Sequence, residues 1–197
     1  MAEDPLKQTA ARVFLAIPLH EIFHLEIDRI LEPLRRKVPG VSWGRTEQIH
    51  LTLHFFGSLP AADIDRIDAS MKKIAACFSS LELTLKGIGG FPSLKRPDTL
   101  WLEVGNKEDR LLSLQKAIQK EVRTLGFKVE SCSFRPHATI GRVKKRSGDR
   151  IPFLGGVPFK FPTDRKMADH FVLYQSRCLP EGARYEILKT YSLSKKT

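Results

Sequence analysis

Two short segments of this chain carry the same arrangement of an imidazole and a hydroxyl: His50-Leu51-Thr52-Leu53 and His137-Ala138-Thr139-Ile140. Alternate side chains of an extended strand share a face, so His50 and Thr52 point one way and Leu51 and Leu53 the other. His137 and Thr139 pair likewise, opposite Ala138 and Ile140. Each strand then offers an apolar face to a helix layer and an imidazole–hydroxyl pair to the opposite side. Histidine titrates near neutrality, so where two rings share a cleft one can take a proton while the other gives one. Threonine hydroxyls can donate hydrogen bonds to phosphoryl oxygens between the rings. Arg142, five residues after His137, adds a forked positive charge that suits a phosphate. A metal site is the poorer reading, because neither pair brings the carboxylates or thiolates that usually complete one. The residue types therefore predict in-line attack on a phosphodiester without a metal or any other cofactor. A single His-x-Thr would mean little, since strands often carry partly buried polar residues. The recurrence gives it weight.

That recurrence belongs to a longer repeat. A shift of 87 residues places His50 on His137 and Thr52 on Thr139, and also Phe14 on Trp101, Leu15 on Leu102, Ile27 on Leu114 and Leu31 on Ile118. Each half reads strand, helix, strand, with the His-x-Thr in the last strand. The simplest inference is two similar lobes related by a pseudo-two-fold axis, with both histidine strands facing one cleft. Apolar periodicity fills in the elements. Arg12 to Ile17 is a strand. A helix from about Glu21 carries Ile22, Leu25, Ile30 and Leu34, with Pro33 expected to kink or shorten it. Val41 to Trp43 and Ile49 to Phe56 are strands, and Ile64, Ile67, Met71, Ile74 and Phe78 mark a second helix. Leu81 to Leu85 alternates as a strand, and Gly87-Ile-Gly-Gly reads as a turn. Thr99 to Val104 is a strand, Leu111 to Leu125 a helix stopped by Gly126, and Phe134 to Val143 a strand. Lys144 to Pro162 reads as loop, and strands near Phe171 to Ser176 and Tyr185 to Leu193 end the chain. Without βαβ repetition or a glycine fingerprint, the class is α+β, bilobal. Phe14 and Trp101 are expected in the core, and His54 at a solvated strand end on the cleft-facing side. His20, His24 and His170 show no partner pattern.

The 197 residues suffice for one domain, 1–197, built of two lobes. Hydrophobic residues make up 42% and charged ones 28%, enough apolar material for a real core. Lys and Arg number 33 against 22 Asp and Glu, a net +11, which favours a polyanionic partner. No apolar run approaches the roughly 18 residues of a membrane span, and the amino-terminal stretch lacks a signal peptide's pattern. Cys77, Cys132 and Cys178 are scattered without CxxC spacing, as in a reduced cytoplasmic protein. Lys144, Lys145, Arg146 and Arg150, with Lys160, Arg165 and Lys166 further on, leave the second His-x-Thr strand and are candidates for contact with an RNA backbone.

The paired His-x-Thr-x motifs resemble the signature of the 2H phosphoesterase superfamily, and the flanks resemble its RNA 2′,3′-cyclic phosphodiesterases, also called 2′-5′ RNA ligases. The likeness covers nearly the whole chain. It includes Arg12-Val-Phe-Leu-Ala-Ile-Pro-Leu, Gln48-Ile-His-Leu-Thr-Leu-His-Phe-Phe-Gly and Gly90-Phe-Pro-Ser-Leu-Lys-Arg-Pro-Asp-Thr-Leu-Trp-Leu. It continues through Phe134-Arg-Pro-His-Ala-Thr-Ile-Gly-Arg, Leu173-Tyr-Gln-Ser-Arg and Gly182-Ala-Arg-Tyr-Glu. His54 departs from the usual Lys or Arg, and Gly141 from the common Ala. The resemblance implies two antiparallel sheets lining a central cleft, and metal-independent hydrolysis of a terminal 2′,3′-cyclic phosphate to a 2′-phosphate. Carried over, His50 is the proton donor, His137 the proton acceptor, and Thr52 and Thr139 hold the phosphate with Arg142 assisting. The residues alone leave donor and acceptor open, because the repeat makes the two rings equivalent. The expected substrate is an RNA end with that phosphate, such as a tRNA half, or a cyclic nucleotide, acted on by a monomer away from membranes. Two alternatives stand beside this reading: 2′-5′ ligation as the reverse reaction, and an RNA-end binding module with incidental chemistry.

Overall fold

Val13, Leu15 and Ile17 on one strand, and Leu100, Leu102 and Val104 on another, are buried at alternate positions, and a sheet is built around each strand. The computed structural model describes residues 11–129, 131, 133–144, 161, 164–179 and 182–194. The first sheet runs β3-β1-β8-β9, with β1 at Ala11–Ile17, β3 at Leu51–Leu59, β8 at His170–Leu179 and β9 at Gly182–Ser192. The second runs β2-β6-β5-β4-β7, with β2 at Val41–Trp43, β4 at Leu81–Phe91, β5 at Thr99–Asn106, β6 at His137–Val143 and β7 at Lys166–Ala168. Among the described residues every strand pairing within the two sheets is antiparallel. The fold is α+β and bilobal, as the repeat predicts. The lobes are not contiguous in sequence, however. β2 crosses from the first half to pair with β6, while β8 and β9 return from the carboxyl-terminal end to complete the first sheet.

Three α-helices stand beside the sheets among the described residues: α1 at Leu19–Lys37, α2 at Ala61–Cys77 and α3 at Arg110–Thr124. α1 follows β1 of the first sheet yet packs against β7 of the second, where Glu26 meets Lys166 at 2.5 Å. α3 follows β5 of the second sheet and packs against β3 of the first. α2 lies against α3 and β9. One apolar core therefore unites residues of both sheets and all three helices. No helix among the described residues is long and apolar enough to cross a membrane.

Several local expectations change. α1 begins at Leu19, two residues early, and Phe23 breaks its helical dihedrals. Its buried stripe is Leu19, Phe23, Ile27, Ile30, Leu31 and Leu34, so Leu25 points outward at 64% exposure, and Pro33 neither ends nor shortens the helix. Gly87-Ile-Gly-Gly is strand rather than turn, because β4 continues to Phe91. A Cβ at Gly89 would overlap the Trp101 ring on the neighbouring β5, so glycine there lets the strands pair over a large side chain. β6 starts at His137 instead of Phe134, and the short β7 has no counterpart in the apolar pattern. Residues 145–160, with 162 and 163, lie outside the described residues, and Lys145, Arg146, Arg150 and Lys160 are among them.

Candidate active site

The 3-10 turn at Thr46–Gln48 delivers the chain to β3, and His50 stands immediately before the strand. His137 opens β6 in the same way. Both imidazoles are half-buried and held alike: Nδ1 of His50 lies 2.7 Å from the Gln48 carbonyl oxygen, and Nδ1 of His137 lies 2.7 Å from that of Arg135. A carbonyl only accepts, so each neutral ring carries its proton on Nδ1 and keeps a lone pair on Nε2. Aromatic walls repeat as well. Phe14 sits 4.9 Å from His50 and Trp101 sits 5.8 Å from His137, at positions the 87-residue shift superimposes. A second ring meets each histidine edge-on, Tyr185 at 5.1 Å from His50 and Phe91 at 5.1 Å from His137. Phe14 and Trp101 are buried, as expected, but what they pack against includes the histidines.

β3 and β6 approach one another, and a cleft of about 1070 Å³ lies between the sheets. His50, Thr52, Thr139 and Arg142 all line it. His137 stands two residues before Thr139 on β6, outside the lining set but near enough for its charge to bear on His50. Burial is the largest influence on His50 and pushes its pKa down to about 4; the Gln48 carbonyl opposes this, while His20 and His137 add to it. Among the described residues no cluster of three His, Cys, Asp or Glu side chains is placed to hold a metal.

His54 is corrected by a β-bulge. Ala16 pairs with Thr52 and Leu15 with His54, so Leu53 is the extra residue and the strand's facing inverts beyond it. His54 turns inward, 4% exposed against Phe56, and Phe55 takes its place on the cleft wall. The basic residues beyond β6 also change. Arg165 pairs with Glu82 at 2.7 Å and Lys166 with Glu26, so both are engaged within the protein. His20, His24 and His170 each lie near a carboxylate of Glu21, Asp28 or Asp169. Motif reading did not single out Arg12, Arg45, Gln48, Arg184 or Tyr185 as site residues. All five line the cleft, and all but Arg45 lie in the segments that carry the family resemblance, beginning at Arg12, Gln48 and Gly182, where the signal was present but unassigned.

Comparison with known proteins points one way. The model of the 2′-5′ RNA ligase superfamily matches residues 23–150. The chain is 33% identical over 177 residues to the RNA 2′,3′-cyclic phosphodiesterase of Thermotoga maritima, covering 90% of this chain and 92% of that one. It is 32% identical over 188 residues to the RNA 2′,3′-cyclic phosphodiesterase of Methanocaldococcus jannaschii, covering 91% and 99%. In fold it resembles a crystal structure of a Thermus thermophilus protein, with TM-score 0.79 at 23% identity, covering 94% of this chain and 100% of that one. It also resembles E. coli LigT complexed with 3′-AMP, with TM-score 0.74 at 21% identity, covering 94% and 99%.

Proposed function

The chain belongs to the 2′-5′ RNA ligase superfamily, and from that premise we propose that it hydrolyses an RNA-terminal 2′,3′-cyclic phosphate to the 2′-phosphate, with His50 and His137 as the acid–base pair. The doubled histidine device carries this reading: two rings, each anchored through Nδ1 at 2.7 Å to the carbonyl two residues back, each with Nε2 left for chemistry. Water attacks phosphorus and gives its proton to Nε2 of His137. The bond from phosphorus to O3′ breaks in line, and O3′ takes a proton from Nε2 of His50. Thr52 and Thr139 donate to the non-bridging oxygens, and Arg142 neutralises the charge that builds on them. Nothing in this sequence of steps calls for a metal, and the imidazole–hydroxyl set is a poor ligand set. The chain acts as one unit of two pseudo-symmetric lobes, since each lobe supplies half of the site.

Turnover of a short RNA ending in a 2′,3′-cyclic phosphate, run in EDTA, tests the reading. A 2′-phosphate product is expected, with losses of about 10²–10⁴-fold in His50→Ala and in His137→Ala. Activity abolished by EDTA, or retained in either variant, would overturn it. RNA binding without turnover would leave a binding module.

One observation favours a second assignment of roles. A ring with a pKa near 4 is neutral at pH 7 and suits a base, which would make His50 the acceptor and His137 the donor. Replacing the bridging O3′ by sulfur decides between them, because a thiolate leaves without a proton. His50→Ala regains most of its lost rate on the sulfur substrate if His50 is the donor. Rescue of His137→Ala instead would install the reversed roles.

A further inference from the structure

Four guanidinium groups line the cleft, from Arg12, Arg45, Arg142 and Arg184, against one carboxylate, Glu47. A terminal cyclic phosphate carries a single negative charge. Among the described residues none of the four arginines pairs with a carboxylate, a lack they share with Arg29, Arg35, Arg96, Arg110, Arg123 and Arg135 elsewhere, and what sets the four apart is that they gather in one cleft. Unpaired cations gathered in one cleft repel each other unless anions enter, so the site is charged for a chain of phosphates. Their distribution gives that chain a direction. Arg142 is on β6 and Arg45 follows β2, both of the second sheet, whereas Arg12 and Arg184 belong to β1 and β9 of the first.

Arg12 stands two residues before Phe14, about 6.6 Å along the same strand face, and Phe14 abuts His50. Arg184 adjoins Tyr185, whose ring meets His50 edge-on, but neighbours on a strand face opposite ways, so Arg184 shares the side of Arg177. On the Tyr185 side a row of pairs runs across the sheet from Arg12: Arg12 opposite Ser176, and Ser176 opposite Tyr185. Arg12 is held in place, its guanidinium lying over the Phe55 ring at 5.5 Å, and the Gln48 side-chain amide fixes β9 nearby by donating to the Ala183 carbonyl at 3.0 Å. Arg184 faces the like-charged Arg177 across the hairpin, and Arg177 is already committed to Glu186 at 3.1 Å. We propose that Arg12 and Ser176, which both line the cleft, form a subsite for the phosphodiester 5′ of the terminal nucleotide, so that the RNA leaves the reacting centre over the first sheet and oligonucleotide ends are preferred to cyclic mononucleotides. This rests on the hydrolytic reading above.

The experiment compares kcat/KM for a trinucleotide ending in a 2′,3′-cyclic phosphate with kcat/KM for a 2′,3′-cyclic mononucleotide. The wild type should favour the trinucleotide by about tenfold or more, and Arg12→Ala/Ser176→Ala should erase most of that ratio, chiefly through KM. The extra salt dependence of the trinucleotide, about 0.7 in log–log slope per phosphate contact, should fall with it. Arg177→Ala, which removes a paired arginine outside the cleft lining, should leave the ratio as it is. A ratio near one in the wild type, or one the double variant does not change, would overturn the subsite. If neither substrate is hydrolysed, the hydrolytic reading fails. Affinity for a trinucleotide ending in a 2′-phosphate then decides: loss in the double variant supports the subsite, and no loss removes it.

Discussion

His50 is half-buried among Phe14, Tyr174 and Tyr185, and the cost of charging a ring among rings lowers its pKa more than any other influence. In an empty cleft at neutral pH it is therefore uncharged. An anion entering the cleft reverses the balance, because a negative charge within a few ångströms favours the imidazolium. Acting as a donor thus requires the substrate's own phosphate to bring the proton's affinity back towards neutrality. NMR titration of the His50 ring should give a midpoint near 4 in the free protein, climbing by about 1–3 pH units when inorganic phosphate saturates the cleft. A free midpoint in the ordinary range for histidine would remove the electrostatic part of this account. A midpoint that phosphate does not move would leave His50 suited only to accepting a proton. Residue identity and spacing were enough to mark both histidines and both threonines as candidates, because alternation needs only the sequence. The anchoring carbonyls of Gln48 and Arg135 were not legible there, since a backbone acceptor has no side-chain signature.

At the scale of elements, the second histidine depends on a glycine of strand β4 that acts on it through another residue. Gly89 on β4 faces Trp101 on β5, and the Trp101 ring walls His137. Gly89→Ala drives a methyl group into that ring, an overpacking change worth about 1–3 kcal/mol of stability, and should lower kcat by tenfold or more by shifting the wall. Adding Trp101→Phe removes the ring atoms the methyl would meet. The double variant should recover stability in urea without recovering kcat, whereas recovery of both would show that the wall does not position His137. The same dependence on neighbours explains where pattern reading stopped. Alternation holds through Thr52, then the bulge at Leu53 inverts it, exchanging His54 for Phe55 on the cleft wall. A bulge is a property of how β1 and β3 pair, so β3's own sequence cannot announce it. In α1 the break at Phe23 shifts the buried stripe, which is why Leu25 fits the apolar spacing yet faces solvent. Gly141, where alanine is common in similar sequences, is explained by β2: a Cβ there would lie 2.7 Å from Val41 and 2.9 Å from Trp43. Helices α2 and α3, by contrast, follow their apolar stripes, since burial against one core leaves a 3.6-residue period that no partner strand can alter.

On the scale of the molecule, both sheets share one core, and the helices cross between lobes, so the lobes should not unfold separately. Asp68 offers a way to see this. It is a nearly buried carboxylate on α2, 2.8 Å from the Lys72 ammonium and 3.8 Å from that of Lys189 on β9. Burial alone would raise its pKa, but the Lys72 hydrogen bond and the charges of Lys72 and Lys189 outweigh it and hold the carboxyl below its ordinary value. A carboxylate depressed in the folded state contributes stability above its unfolded pKa and loses it as pH falls through the folded one. Asp68→Asn should therefore cost about 1 kcal/mol at pH 7, with the difference closing towards strongly acid pH. The chain's two tryptophans, Trp43 on β2 and Trp101 on β5, both lie in the second sheet, while Asp68 ties α2 to the first. Urea unfolding followed by tryptophan fluorescence then reads one lobe while the substitution weakens the other. If 1–197 is a single cooperative unit, the fluorescence midpoint of Asp68→Asn falls by the same amount as the midpoint from far-ultraviolet circular dichroism. A fluorescence midpoint that stays put while the dichroism midpoint drops would mean that the lobes unfold independently. In that case the two histidines would be held together by the closure of separate units, and the shared core would not be what fixes their geometry.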